Sequence, residues 1–169
     1  MLSAKCLLCQ TPGGTVLWQN QHLRVIDACD ALYPGFTRVI WTAHVVEMTD
    51  LTAGQQTELL RVVLLVEQVQ RDELKPDKVN LAAFGNVVPH LHWHVIPRWQ
   101  DDPHFPQAVW AALPHADLKA QAAQEARRRL IQLQLDAYHQ TLVARLGSLL
   151  LPHPVAVDDG TGLTLGGSE

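Results

Sequence analysis

The 169-residue sequence has few cysteines, few aromatics other than tryptophan, and no excess of basic charge. Its three cysteines, Cys6, Cys9 and Cys29, are too few and odd in number for a disulfide framework, which fits a reducing compartment. Thirteen Lys and Arg against 17 Asp and Glu leave a formal net charge of -4, so the chain lacks the basic field that holds nucleic acid through its phosphates. The one basic run, Arg127 to Arg129, falls in a helical pattern and reads as a solvated face. No uninterrupted apolar run approaches the roughly 20 residues of a membrane span. The opening MLSAKCLLCQTPGG has no apolar stretch suited to a signal peptide. These absences predict a cytoplasmic protein with neither nucleic-acid nor membrane partners. A composition of 47% hydrophobic and 18% charged residues excludes a disordered or fibrous chain. A chain of this length buries roughly 70% of its unfolded surface, enough for a core without staples.

What is there follows an α+β order. Thr15 to Trp18 and Leu23 to Ile26 are apolar runs with a four-residue connection, the pattern of a hairpin. Tyr33, Pro34 and Gly35 supply turn chemistry before a third strand, Thr37 to Thr42. Thr52 followed by Gln55 is a capping-box pattern that opens a helix to about Leu74, with Leu59, Val63 and Val66 facing inward and Pro76 stopping it. Two further strands, Val79 to Phe84 and His90 to Ile96, flank a turn holding Gly85, Asn86 and Pro89. From Asp117 to Leu146, apolar residues at 131, 135, 138, 142 and 146 keep helical spacing, and Gly147 is the expected terminator. The prediction is an antiparallel five-stranded sheet with one principal helix over residues 1–112, a C-terminal helix over 113–150, and a flexible tail over 151–169.

The excess in this composition is histidine, nine in all. In PHLHWHVIPR, His90, His92 and His94 alternate with Leu91, Trp93 and Val95. On a strand, alternate side chains share a face about 7 Å apart, so the three imidazoles are expected to line one surface. Packing alone does not account for such a triplet. Two chemistries remain open: a metal site with an exchangeable position for water, or an imidazole nucleophile directed at phosphorus and oriented by its neighbours. Cys6 and Cys9 form a C-x-x-C pair, too close to the chain start for a thioredoxin-like redox motif, and as metal ligands they need two more groups.

The segment from His90 to Ile96 resembles the signature of the histidine triad (HIT) superfamily of nucleotide hydrolases and transferases, His-φ-His-φ-His-φ-φ with φ apolar. The resemblance extends through Asn80 to Asn86, Pro89, Pro97 and Arg98, and includes YPGFTRVIWTAH from Tyr33 to His44 and DDPHFP from Asp101 to Pro106 with Trp110. It spans about residues 6 to 110 and implies a HIT-like fold. It also implies attack by His92 on the α-phosphorus of a purine nucleoside polyphosphate or related adenylate. The nucleotidyl-histidine so formed is then hydrolysed. An imidazole suits this role because it is nucleophilic near neutral pH. By the same resemblance His94 contacts phosphate oxygens or the leaving group, and the loop of Gly85 and Asn86 donates to developing negative charge. Asn80 falls near the family's nucleotide-holding amide, one residue short in its spacing to His90. Asp30 is the candidate for the ribose hydroxyls, and Trp18 and Ile26 for the base.

Several members of that family bind zinc through an N-terminal C-x-x-C, a histidine after the third strand and the first triad histidine. Here these positions are Cys6, Cys9, His44 and His90. Four ligands and no open position make a structural zinc, with His90 a ligand and His92 the nucleophile. Members commonly pair as homodimers through the sheet edge and main helix, and the same is expected here. Two positions depart from the common pattern: Val87 where many members carry Ser or Thr, and Phe36 where others carry a histidine. Both weaken the case for phosphoramidate cleavage. The alternatives are a zinc-dependent hydrolase or lyase that uses all three histidines as metal ligands, and a nucleotide-binding sensor with vestigial catalysis.

Overall fold

The structure is a computed structural model that describes residues 5–115 and 118–149. A short helix α1 (Leu7–Gln10) precedes strands β1 (Thr15–Gln19), β2 (Leu23–Asp27) and β3 (Thr37–Trp41). A single 3-10 turn leads into helix α2 (Ala53–Glu73), followed by β4 (Lys78–Ala83), β5 (His92–Arg98) and helix α3 (Leu118–Leu149). The five strands form one sheet in the order β1-β2-β3-β5-β4, antiparallel throughout. This is the α+β arrangement expected. The tail assigned to 151–169 lies outside the described residues.

Both long helices cover one face of the sheet. The hydroxyl oxygen of Thr52 accepts from the Gln55 N–H and the Gln55 amide oxygen accepts from the Thr52 N–H, so the capping box fixes where α2 starts. Leu59, Val62, Val63, Val66 and Val69 then face Leu23, Val25, Val39, Trp41 and Val95 of the sheet. α3 is polar over most of its surface, but Ile131, Leu135, Tyr138, Leu142 and Leu146 are all buried in that same core. At about 1.5–3 kcal/mol for each fully buried side chain, this stripe is what docks α3. Tyr138 adds a hydrogen bond between its hydroxyl and Thr37 Oγ1 on β3 at 2.7 Å. At the turn before β3, Gly35 adopts φ +84°, and a Cβ there would sit 2.7 Å from a methyl of Leu74.

Three local expectations change. α3 passes through Gly147 and is described as far as Leu149, because the buried Leu146 keeps this turn docked and outweighs a helix-propensity deficit of about 1 kcal/mol. β5 begins at His92, not His90. The Leu91 N–H donates to Val45 O and Leu91 O accepts from the Trp41 N–H, so this dipeptide runs past the end of β3 before β5 begins. Trp18 packs on the helix-covered face, away from Ile26. A bulge between Val16 and Trp18 changes the register, so Val16 pairs with Ile26 but Trp18 pairs with Val25.

The other face carries the polar groups: Arg24 on β2, Arg38 on β3, Asn80 on β4, and His92, His94 and Arg98 on β5. The N-terminal segment covers part of it, with Leu8 and Cys6 packed on Ile26 and Ile40. Arg24 holds that cover down by donating to the carbonyls of Leu8, Thr11 and Pro12.

Candidate active site and metal centre

His90 precedes β5, and its ring sits beneath the N-terminal segment on the same side of the sheet as His92. Its imidazole is fully buried, and Nε2 donates to the carbonyl oxygen of Trp41 at 2.6 Å. A carbonyl only accepts, so the proton of neutral His90 is on Nε2 and the lone pair is on Nδ1. Nδ1 lies 3.4 Å from Cys6 Sγ and 3.5 Å from Cys9 Sγ, and His44 Nδ1 is 3.4 Å from Cys9 Sγ. The four ligand atoms of Cys6, Cys9, His44 and His90 lie within 4.8 Å of one another. Around a tetrahedral zinc, S and N ligands at their usual bond lengths are about 3.5 Å apart, so the spacing, the donor types and the tautomer of His90 all suit such an ion. Among the described residues this is the one such group, and it includes neither His92 nor His94.

His92 and His94 remain on β5 with ring centroids 4.7 Å apart, edge to face. His92 Nδ1 donates to the carbonyl oxygen of His90 at 2.6 Å, which leaves Nε2 as the lone-pair nitrogen of the neutral ring. Burial lowers the pKa of His92 and outweighs this hydrogen bond, which favours the protonated form. His94 is pushed down to about 3, first by burial and then by the positive charge of His92 and Arg38. Both rings are therefore neutral at pH 7. His94 Nδ1 is buried without a partner, in a molecule where most buried polar atoms have one.

A cleft of about 400 Å³ opens over this pair, lined by Phe84, Gly85, Asn86, Val87, Val88, His92, His94 and Trp110. Asn86 and Val87 are exposed at its rim. Phe84 and Trp110 meet edge to face at 4.8 Å, each about half exposed, and both flank the His94 ring. Trp110 is carried by the segment after β5, which a buried polar cluster anchors. Arg98, 2% exposed, donates to both carboxylate oxygens of Asp102 at 2.6 and 3.0 Å, to Asn80 Oδ1 at 2.8 Å and to the Gln107 carbonyl. Burial would raise the Asp102 carboxyl, but Arg98 and the N–H groups of His104 and Phe105 hold it below its ordinary value. His104 is buried in this cluster against the Tyr33 hydroxyl, so it is a loop anchor.

Of the candidate residues, Gly85, Asn86, His92 and His94 come together in the cleft, and His90 joins the two cysteines and His44. Asn80 faces the same side, but its oxygen is taken by Arg98. Asp30 Oδ1 accepts from the N–H groups of Leu32 and Tyr33, which makes it the cap of the turn before β3. Ile26 is fully buried beneath Leu8 and Gly13 and does not reach the cleft. Two further histidines, to which the sequence assigns no role, have partners on the helical side: His22 binds Glu58 at 2.7 Å, and His139 lies 3.2 Å from Asp27. Three residues that lie in the quoted motifs but received no role from the sequence stand out, namely Arg38 opposite His94, and the anchoring pair Arg98 and Asp102.

The profile of the HIT domain matches residues 12–101, just over half the chain. This chain belongs to the HIT family. Among solved structures, the HIT chain is similar to a histidine triad protein from Bradyrhizobium japonicum, at 31% identity and a TM-score of 0.55, covering 71% of this chain and 92% of that one. One from Marinobacter aquaeolei is 28% identical with a TM-score of 0.56, over 73% and 92%. Among curated relatives, an AP-4-A phosphorylase of Mycobacterium tuberculosis is 32% identical over 78 residues, 43% of this chain and 40% of the relative. A bis(5'-adenosyl)-triphosphatase of Saccharomyces cerevisiae is 24% identical over 91 residues, 50% of this chain and 44% of the relative. The HIT chain thus spans less than half the length of these curated relatives. No helix among the described residues is long and apolar enough to cross a membrane.

Proposed function

We propose that this protein is a nucleotide hydrolase or nucleotidyl transferase that cleaves at the α-phosphorus of a purine nucleoside polyphosphate or related adenylate, with His92 as the nucleophile. The observation that carries this reading is the hydrogen bond from His92 Nδ1 to the His90 carbonyl. It fixes the tautomer, so a neutral Nε2 is available for attack without a separate base. In the first step the Nε2–P bond forms as the bond from phosphorus to the leaving-group oxygen breaks, with its electron pair on that oxygen. In the second, water adds to phosphorus and gives up a proton to solvent, and the N–P bond breaks with its electron pair returning to Nε2, so the imidazole is regenerated neutral. His94, also neutral, offers an N–H to the phosphate or leaving group, and the Gly85–Asn86 loop supplies further donors. Asp30, whose Oδ1 caps its turn, is assigned to the ribose hydroxyls through Oδ2, and Asn80, whose Oδ1 accepts from Arg98, to the nucleotide through its amide N–H.

The names of the two curated relatives support dinucleoside polyphosphates as the substrate class. So does Val87, which offers no hydroxyl to assist a poor leaving group. We assign a structural zinc to Cys6, Cys9, His44 and His90; when bound it ties the N-terminal segment to the end of β3 and takes no part in the reaction. The outer edge of β4, with Leu81 on it and Leu60 and Leu64 exposed on α2, is the face assigned to a homodimer. The test is incubation of the purified protein with diadenosine tri- and tetraphosphate, with product identification and mass analysis under non-acidic conditions. A nucleotidyl adduct at His92 that is lost in His92→Ala is expected. Turnover unchanged in that variant would remove the mechanism.

A further inference from the structure

Three arginines lie on the reactive face of the sheet, and two of them are fully engaged. Arg24 donates to the carbonyls of Leu8, Thr11 and Pro12, while Arg98 is held by Asp102, Asn80 and Gln107. Arg38 is different. It is half-buried, yet its Nε is buried with no hydrogen-bond partner, and its hydrogen bond to the Gly13 carbonyl is long, at 3.4 Å. Among the described residues no carboxylate forms an ion pair with its guanidinium. The acid whose charge it feels is Asp30, and Asp30 Oδ1 is occupied in capping its own turn. Desolvating a guanidinium without an anion is unfavourable, so a side chain kept in this state fits a partner that arrives from outside.

Its position says where that partner sits. Arg38 is the register partner of His94 across the β3–β5 ladder, and directly opposed residues share a face with their side chains adjacent. The Phe36 ring lies 5.2 Å from the guanidinium carbon and 5.5 Å from the His94 ring centroid, so the cation is stacked in place beside the imidazole. We propose that Arg38 is the anion-binding residue of the active site, donating to phosphate oxygens of the bound nucleotide and selecting phosphorylated over unphosphorylated nucleosides. The inference rests on the reading of this face as a nucleotide site. It also explains Phe36, since at a position where the family often has a histidine this chain has an apolar platform for the arginine.

The proposal is tested by calorimetric binding of adenosine 5'-monophosphate and of adenosine to the full chain, in wild type and in Arg38→Met, Arg38→Gln and Arg38→Lys, with thermal melts checking each fold. A hydrogen-bonded charge pair of this kind is lost at a penalty of about 1.5–3 kcal/mol, or roughly 10- to 150-fold in affinity. The monophosphate should weaken by that factor in Met and Gln, with partial recovery in Lys, while adenosine changes less than threefold. Equal weakening of both ligands in folded variants, or unchanged monophosphate affinity, overturns the proposal. Should Met fail to fold, the Gln and Lys variants carry the comparison. Wild-type binding of the monophosphate without any turnover would remove the catalytic reading and leave Arg38 standing. A trapped His92 adduct with unchanged affinity in Arg38→Gln would do the reverse, and no monophosphate binding by wild type would remove both.

Discussion

His92 donates from Nδ1 to the carbonyl oxygen of His90, whose own ring points towards Cys6 and Cys9. Two residues apart, one histidine meets the cysteines and the next, the proposed nucleophile, opens on the cleft, and the peptide between them carries the orientation. Replacing His92 with Asn should therefore leave the fold intact while lowering turnover of a dinucleoside polyphosphate by at least about a thousandfold. Steady-state rates alongside a thermal melt check this, and a residual rate within tenfold of wild type would assign the attack elsewhere.

The set of two thiols and two imidazoles within 4.8 Å of one another makes a prediction about metal content. Purified protein should carry one zinc per chain, and Cys9→Ser should lose it. Either that change or chelation should lower Tm by at least roughly 5 °C, since about 1 kcal/mol shifts Tm by 2–4 °C at this size. Elemental analysis beside a melting curve decides the matter. Full metal content in Cys9→Ser would be the contrary result.

His94 supplies a pH dependence. Its folded-state pKa is about 3, against 6.5 for the free group, because burial and the charges of His92 and Arg38 oppose its protonation. Between these values the unfolded chain binds a proton that the folded chain does not. The contribution of this group to stability is therefore intact above pH 6.5 and declines as pH falls towards 3. In His94→Gln that part of the acid sensitivity should vanish, so wild type should lose more stability than the variant between pH 7 and pH 5 in denaturant titrations. Parallel losses would place the sensitivity in other groups.

The buried pair of Arg98 and Asp102 is expected to be costly to break from one side only. Arg98→Met leaves the Asp102 charge buried, and a loss of about 3–5 kcal/mol in unfolding free energy is expected. Urea denaturation measures it; a change under 1 kcal/mol would mean that water replaces the guanidinium.

On α3, Leu142 is fully buried and Leu133 is 82% exposed. Leu142→Ala should cost about 2–5 kcal/mol, and Leu133→Ala under about 0.5 kcal/mol. Equal effects would mean that α3 does not share the core of the sheet in solution.

Much of this was legible beforehand where a local rule decides the outcome. The Thr52–Gln55 box starts α2, and the 131-135-138-142-146 spacing correctly marks the buried stripe of α3. Cys6, Cys9, His44 and His90 converge as the resemblance implied. What was illegible depended on register between strands. Alternation puts His90 on the face of His92 and Leu91 in the helix-covered core, as found, but His90 precedes β5 beneath the N-terminal segment, so its ring meets Cys6 and Cys9 instead of the cleft, and no pattern within PHLHWH signals that. Trp18 was set on the wrong face by one bulge. Arg38 looks like an ordinary strand residue in the sequence because what sets it apart is a buried Nε with no hydrogen-bond partner and no carboxylate paired to it among the described residues, which only the packed structure reveals. The Gly147 stop failed because packing of Leu146 outweighs a local propensity.

The segment that carries Trp110 is fastened at its base by Arg98 and Asp102, while Trp110 at its tip is half exposed over the cleft. His92, its carbonyl partner and the cysteine-bearing segment lie on other elements. On the proposed function, what the cleft holds and what reacts in it are therefore set by different stretches of chain.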